Sequence, residues 1–101
     1  MSEDRVADAR QKLANLRERF LVRTAGDLKE IETALANPNT MDRMKLRATA
    51  HRLAGAAGTF GFPELSEAAG AADDALMGLG GEVDPTLDRL YKELRKTLKR
   101  R

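Results

Sequence analysis

One histidine, His51, stands in a chain of 101 residues that has no cysteine. Those two facts bound the chemistry. Thiolate nucleophiles, disulfides and cysteine-ligated metals are excluded, and zinc, which usually takes several nitrogen or sulfur ligands, has too few candidates. A single imidazole can still act as a nucleophile, because its neutral form carries a nitrogen lone pair and is available near neutral pH. The chain has no glycine-rich loop of the strand–loop–helix type that cradles phosphates, so no nucleotide site is expected. What remains is chemistry that needs a single side chain or that borrows a partner's groups.

The spacing around His51 says where the ring points. Leu46, Ala50, Leu53, Ala57 and Phe60 recur at steps of 4, 3, 4 and 3, the stripe of a helix with one buried face. At about 100° per residue, His51 projects roughly 140° from the centre of that stripe, toward solvent or the flank of the fold. Its neighbours there are Arg47 one turn before, Ala48 and Ala54 to the sides, and Gly55 and Gly58 beyond. A glycine inside a helix costs on the order of 1 kcal/mol relative to alanine, so two of them need a reason. Three readings remain open: a solvated histidine with tolerated glycines, close helix packing on the glycine side, or a ring kept accessible to another protein.

The rest of the chain reads as the helices that hold this one. Turn signals cluster at Asn37-Pro38-Asn39-Thr40, at Gly61-Phe62-Pro63 and at Gly80-Gly81 through Pro85. Before them, Val6, Ala9, Leu13, Leu16, Phe20, Leu28, Ile31 and Leu35 predict one long helix over about 4–36, continuous in preference to a restart capped by Thr24 near Gly26. Thr40 is the expected N-cap of the second helix, which runs to about Thr59. Pro63 opens a third, with Leu65, Ala69, Ala72, Leu76 and Leu79 on one face, and Gly80-Gly81 ends it. Pro85 opens a fourth, with Leu87, Leu90, Tyr91, Leu94 and Leu98 inward. The fold class is therefore all-α, an antiparallel up-down-up-down four-helix bundle over residues 1–101, with the ends (about 1–4 and 99–101) expected to fray.

Residues Ala50-His51-Arg52-Leu53-Ala54-Gly55-Ala56-Ala57-Gly58-Thr59-Phe60-Gly61-Phe62, with Leu65 after them, resemble the phosphorylation-site helix of histidine phosphotransfer (HPt) domains. His51, Leu53, Gly55, Ala56, Ala57 and Gly61 match that family's pattern, and the resemblance extends over most of the chain. It implies that His51 is a phosphoacceptor, exchanging a phosphoryl group with a receiver-domain aspartate in a two-component phosphorelay. It implies a response-regulator receiver domain or a hybrid histidine kinase as partner. Mg2+ would then sit on the receiver, with no cofactor on this chain. One position departs: the lysine usual three residues after the histidine is Ala54 here. Arg47, one turn before His51, is the expected substitute for supporting the phosphate. Arg43 is two turns back and more distant. Arg52, Ala54, Gly55 and Gly58 are the expected partner-docking positions. The departure also motivates an alternative, an adaptor of the same fold that docks receiver or kinase domains without being phosphorylated.

Composition narrows the remaining classes. Hydrophobic residues make up 42% and charged residues 34%, the balance of a soluble globular chain, while aromatics are only 4%. A core of Leu and Ala suits closely approaching helices. No apolar run is long enough to span a bilayer and no leader is read at the start, so a cytoplasmic monomer that binds neither membrane nor nucleic acid is expected. The basic end, Lys92 to Arg101, includes Glu93 and lacks aromatics apart from the adjacent Tyr91, so it reads as a solvated helix end.

Overall fold

The computed structural model describes residues 2–100. Four helices account for it: α1 (Ser2–Ala36), α2 (Arg43–Thr59), α3 (Pro63–Leu76) and α4 (Val83–Lys99). There is no strand among the described residues. The helices form a four-helix bundle in which α1 packs against α2 and α4, and α3 against the same two. Of the ends expected to fray, residues 1 and 101 lie outside the described residues; Glu3, Asp4 and Lys99 are helical. No helix among the described residues is long and apolar enough to cross a membrane.

α1 is one uninterrupted helix through Gly26. Thr24 is fully buried, and its hydroxyl donates to the Phe20 carbonyl at 2.7 Å, so it bonds back into the helix instead of capping a new one. The start of α2 differs from expectation. Asp42, not Thr40, is the N-cap: its Oδ1 accepts from the Lys45 backbone N–H at 3.1 Å. Pro38–Thr40 instead winds one 3-10 turn, and the Thr40 hydroxyl donates to the Asn37 carbonyl at 3.3 Å.

Both α2 and α3 stop at a left-handed glycine. Gly61 (φ +84°) follows Phe60, and Phe62 N–H reaches back to the Ala57 carbonyl at 2.8 Å. Gly78 (φ +75°) follows Met77, and Leu79 N–H reaches the Asp74 carbonyl at 2.9 Å. The six-to-one bond is the Schellman stop, which satisfies carbonyls that a helix end leaves open. α3 therefore ends at Leu76, before Gly80-Gly81, and Leu79 lies outside it and exposed, contrary to its expected place on the inner face.

The core gathers Phe20, Leu21 and Ile31 of α1, Leu46, Ala50, Leu53 and Ala57 of α2, Leu65, Ala68, Ala69, Ala72 and Leu76 of α3, and Leu87, Leu90 and Leu94 of α4. Between α2 and α3 it is mostly alanine, which lets the two backbones approach closely and fixes their register. Val6, Leu13 and Leu16 stay exposed, because α1 outruns the other helices and none of the described residues covers its first half. Their periodicity belongs to a face, but not to the core.

Candidate functional site

The site is built on the α2–α3 hairpin. Phe62 is its pivot: His51 lies eleven residues before it and Asp73 eleven after, and antiparallel packing sets the two opposite each other. Gly58 and Ser66, four residues either side of the pivot, obey the same register, with Ser66 Oγ 3.3 Å from where a Gly58 Cβ would lie. The Ser66 hydroxyl also donates to the Ala54 carbonyl at 2.6 Å, tying the two helices together near the histidine.

His51 points outward, its side chain 78% exposed. Its Nδ1 lies 3.0 Å from Oδ2 of Asp73, whose side chain is only 13% exposed. An ionised carboxylate accepts hydrogen bonds and donates none, so the shared proton belongs on Nδ1. That tautomer leaves the Nε2 lone pair facing solvent, and Asp73 restricts ring rotation. A nucleophile held by a second group behind it is the geometry that orients an attacking nitrogen.

Arg47 completes the group. Its Nε is 3.3 Å from Asp73 Oδ1, an ion pair across the same two helices, while the side chain remains half exposed. Asp73 Oδ1 is buried and receives no hydrogen bond, so the guanidinium is held by charge and not by an aligned donor. Among the described residues its two Nη groups have no other partner, which leaves the fork available to an anion beside His51. Arg43, Met44 and Met77 share a shallow surface depression with Arg47, so two cations and two soft apolar side chains border this flank of the site.

The positions expected at a docking face divide. Gly55 is exposed, and a Cβ built there would meet nothing within 4 Å. Packing does not require that glycine. Gly58 is exposed too, but its added Cβ would press on Ser66, so packing does constrain it. Ala54 is half-buried against the core. Arg52 turns the other way: its Nη2 donates to Asp27 Oδ1 of α1 at 2.6 Å, and Asp27 is buried. Arg52 locks α2 to α1, alongside the Thr49 hydroxyl, which donates to Glu30 at 2.9 Å.

Sequence reading missed Asp73. The signal was present in the mirror positions about Phe62 and in an acid lodged between Ala72 and the Ala75-Leu76 pair of the inner face. The groove lined by Lys29, Glu30, Asn37 and Lys45 shares no residue with this site, and His51 itself lies on an open surface. Among the described residues, no cluster of three or more His, Asp or Glu side chains is arranged to hold a metal ion.

A four-helix bundle with one imidazole on an open face is consistent with a phosphotransfer-type domain of two-component signalling, and a family match gives that class. The chain belongs to the Hpt domain family, whose model matches residues 15–100. Hpt domains in general interact with receiver domains in phosphorelays. Searches of curated proteins and of solved structures gave no match.

Proposed function

We propose that this chain is a phosphorelay intermediate in which His51 Nε2 accepts a phosphoryl group from a receiver-domain aspartyl phosphate and returns it to another. The observation that carries this reading is the 3.0 Å contact between Nδ1 and the shielded Asp73 carboxylate, with Nε2 left open. In the forward step the Nε2 lone pair forms a bond to phosphorus as the phosphorus–oxygen bond to the donor aspartate breaks. The donor leaves as a carboxylate. The ring keeps its Nδ1 proton and becomes cationic, and Asp73 faces that new charge. The reverse step hands phosphorus to an aspartate oxygen and restores the neutral ring, so no separate base is needed.

Arg47 is the group placed to meet the phosphoryl oxygens, taking the part of the lysine usual at the Ala54 position. Its guanidinium is one turn from His51, with Nε drawn to Asp73 and the fork left free. Magnesium would belong to the receiver, whose phosphorylation site supplies the rest of the charge neutralisation. Gly55 keeps the surface beyond the ring low, so that a receiver can bring its aspartate into line with Nε2. Arg52, engaged with Asp27, serves the scaffold under this reading and not the partner contact expected of it.

The second reading, a docking adaptor that is never phosphorylated, is favoured by one observation: alanine at position 54. Treatment with phosphoramidate, a small phosphoryl donor that acts on accessible imidazoles without a partner, separates the two. Acid-labile phosphate on His51 that a receiver domain then removes supports the intermediate. A ring that stays unmodified, or phosphate that no receiver removes, supports the adaptor.

A further inference from the structure

The first half of α1 stands clear of the bundle. At 1.5 Å per residue its 35 residues span about 52 Å, whereas α2 and α4 have 17 residues each. The molecule is accordingly 56 Å long and 23 Å across. Residues 3–19 are all exposed, and the family match begins only at residue 15. A bare amphipathic helix of this length gains most of its stability from packing, which the chain itself does not provide here.

The pattern on that segment is specific. Val6, Ala9, Leu13, Leu16 and Phe20 follow at steps of 3, 4, 3 and 4, the a/d seam of two heptads. Leu13 is 56% exposed and Leu16 50%. The five positions flanking the seam are Arg5, Arg10, Lys12, Arg17 and Arg19, every one a cation. The acids Asp4, Asp8 and Glu18 lie on the opposite face, where Gln11 and Asn15 bond to each other. Glu3, a turn before the seam, is the one acid on its side. At its far end the seam runs into the core: Phe20 stacks on Phe60 and Phe62 at 5.3 and 5.8 Å, and the Arg17 guanidinium lies 5.0 Å over the Phe62 ring.

Charge decides the occupant. In a parallel pair of copies Arg5 would oppose Arg10 and Lys12 would oppose Arg17; an antiparallel pair sets cations against cations as well. A second copy is therefore disfavoured. A lipid surface is a poorer match too, since the apolar strip is narrow and carries no aromatic residue before Phe20. We propose that Arg5–Arg19 is a docking segment for an acidic amphipathic helix of a partner protein, whose apolar seam covers Val6, Leu13 and Leu16 and whose flanking carboxylates meet the five cations. Such pairing sets partner choice and orientation in coiled coils. It does not depend on the chemistry of His51.

The test titrates the full chain with two synthetic three-heptad peptides, leucine at every seam position, one with glutamate and the other with lysine at every flanking position. The glutamate peptide is expected to bind at least roughly tenfold tighter than its lysine twin, and to lose roughly tenfold in affinity as salt rises to about 0.5 M. Leu13→Asn with Leu16→Asn, both at exposed positions, should abolish binding without lowering the melting temperature. Equal binding of the two peptides, or binding indifferent to the leucine changes, overturns the assignment. So does a dimer in sedimentation equilibrium that the leucine changes dissolve, which gives the seam to a second copy. Seam-dependent attachment to phosphatidylglycerol vesicles, with no peptide binding, gives it to a membrane and overturns it equally.

Discussion

Asp73 Oδ2 lies 3.0 Å behind the Nδ1 of His51, although twenty-two residues separate the two along the chain. One helix supplies the imidazole and the next supplies the carboxylate that contacts it. Asp73 is shielded and His51 is open, so the pair combines a fixed acceptor with an accessible imidazole.

Replacing Asp73 should slow phosphoryl transfer without removing the phosphoacceptor. Asp73→Asn retains an oxygen that accepts from Nδ1 but not the charge that faces the cationic phosphoimidazole. A charge-assisted hydrogen bond is worth about 1.5–3 kcal/mol, so uptake should fall roughly tenfold or more, with Asp73→Ala slower still. The melting temperature is the diagnostic readout: a positioning role slows transfer and leaves the melt in place, whereas a merely structural role lowers the melting temperature. Rates in both variants equal to the parent's would remove Asp73 from the mechanism.

Arg47 should matter to the phosphorylated state more than to the free one. Arg47→Ala is expected to shorten the phosphohistidine lifetime or lower the transfer rate, and Ala54→Lys in that background should restore part of the loss. Lifetimes of phosphoramidate-labelled protein, followed over time in all three forms, check this. Indistinguishable lifetimes and rates would place the compensating cation wholly on the partner.

Gly55 separates access from packing. With no atom within 4 Å of an added Cβ, Gly55→Ala should raise stability by up to about 1 kcal/mol. Gly55→Gln should fold with an equal or higher melting temperature yet transfer at least roughly tenfold more slowly, about 1.4 kcal/mol of barrier. Thermal melts and transfer rates on the same samples give the comparison. A Gln variant that loses stability but transfers normally would assign Gly55 to the scaffold.

Arg52→Ala should act on stability instead. It strands the buried Asp27 carboxylate, one of whose oxygens already has no hydrogen-bond partner, so a loss of about 2–3 kcal/mol in denaturant unfolding is expected. The folded fraction should still transfer at the parent rate. A stable variant that no longer binds receivers would return Arg52 to the docking face.

The direction of His51 was legible because Leu46, Ala50, Leu53 and Ala57 fix which side of α2 is buried, and a single helix needs no partner for that inference. Asp73 and the Arg52–Asp27 pair were not, since both depend on how two helices align, which periodicity within one helix does not record. The helix ends shifted for local reasons: an aspartate outcompeted Thr40 as a cap, and Gly78 ended α3 a turn before Gly80-Gly81. The seam of α1 shows the complementary limit. Spacing reveals that a helix has an apolar face, whereas only the lengths of its neighbours reveal whether the chain covers it.

The most direct measurement exposes the chain and its His51→Gln variant to a panel of phosphorylated receiver domains and assays acid-labile, base-stable phosphate on each. The parent should take up phosphate on His51 alone from at least one receiver. The variant should take up none, while keeping the helical content and melting temperature of the parent, since the ring contributes nothing to the core. Acid-labile phosphate on the His51→Gln protein, or a parent that accepts none from any receiver or from phosphoramidate, would contradict the assignment of His51 as the phosphoacceptor.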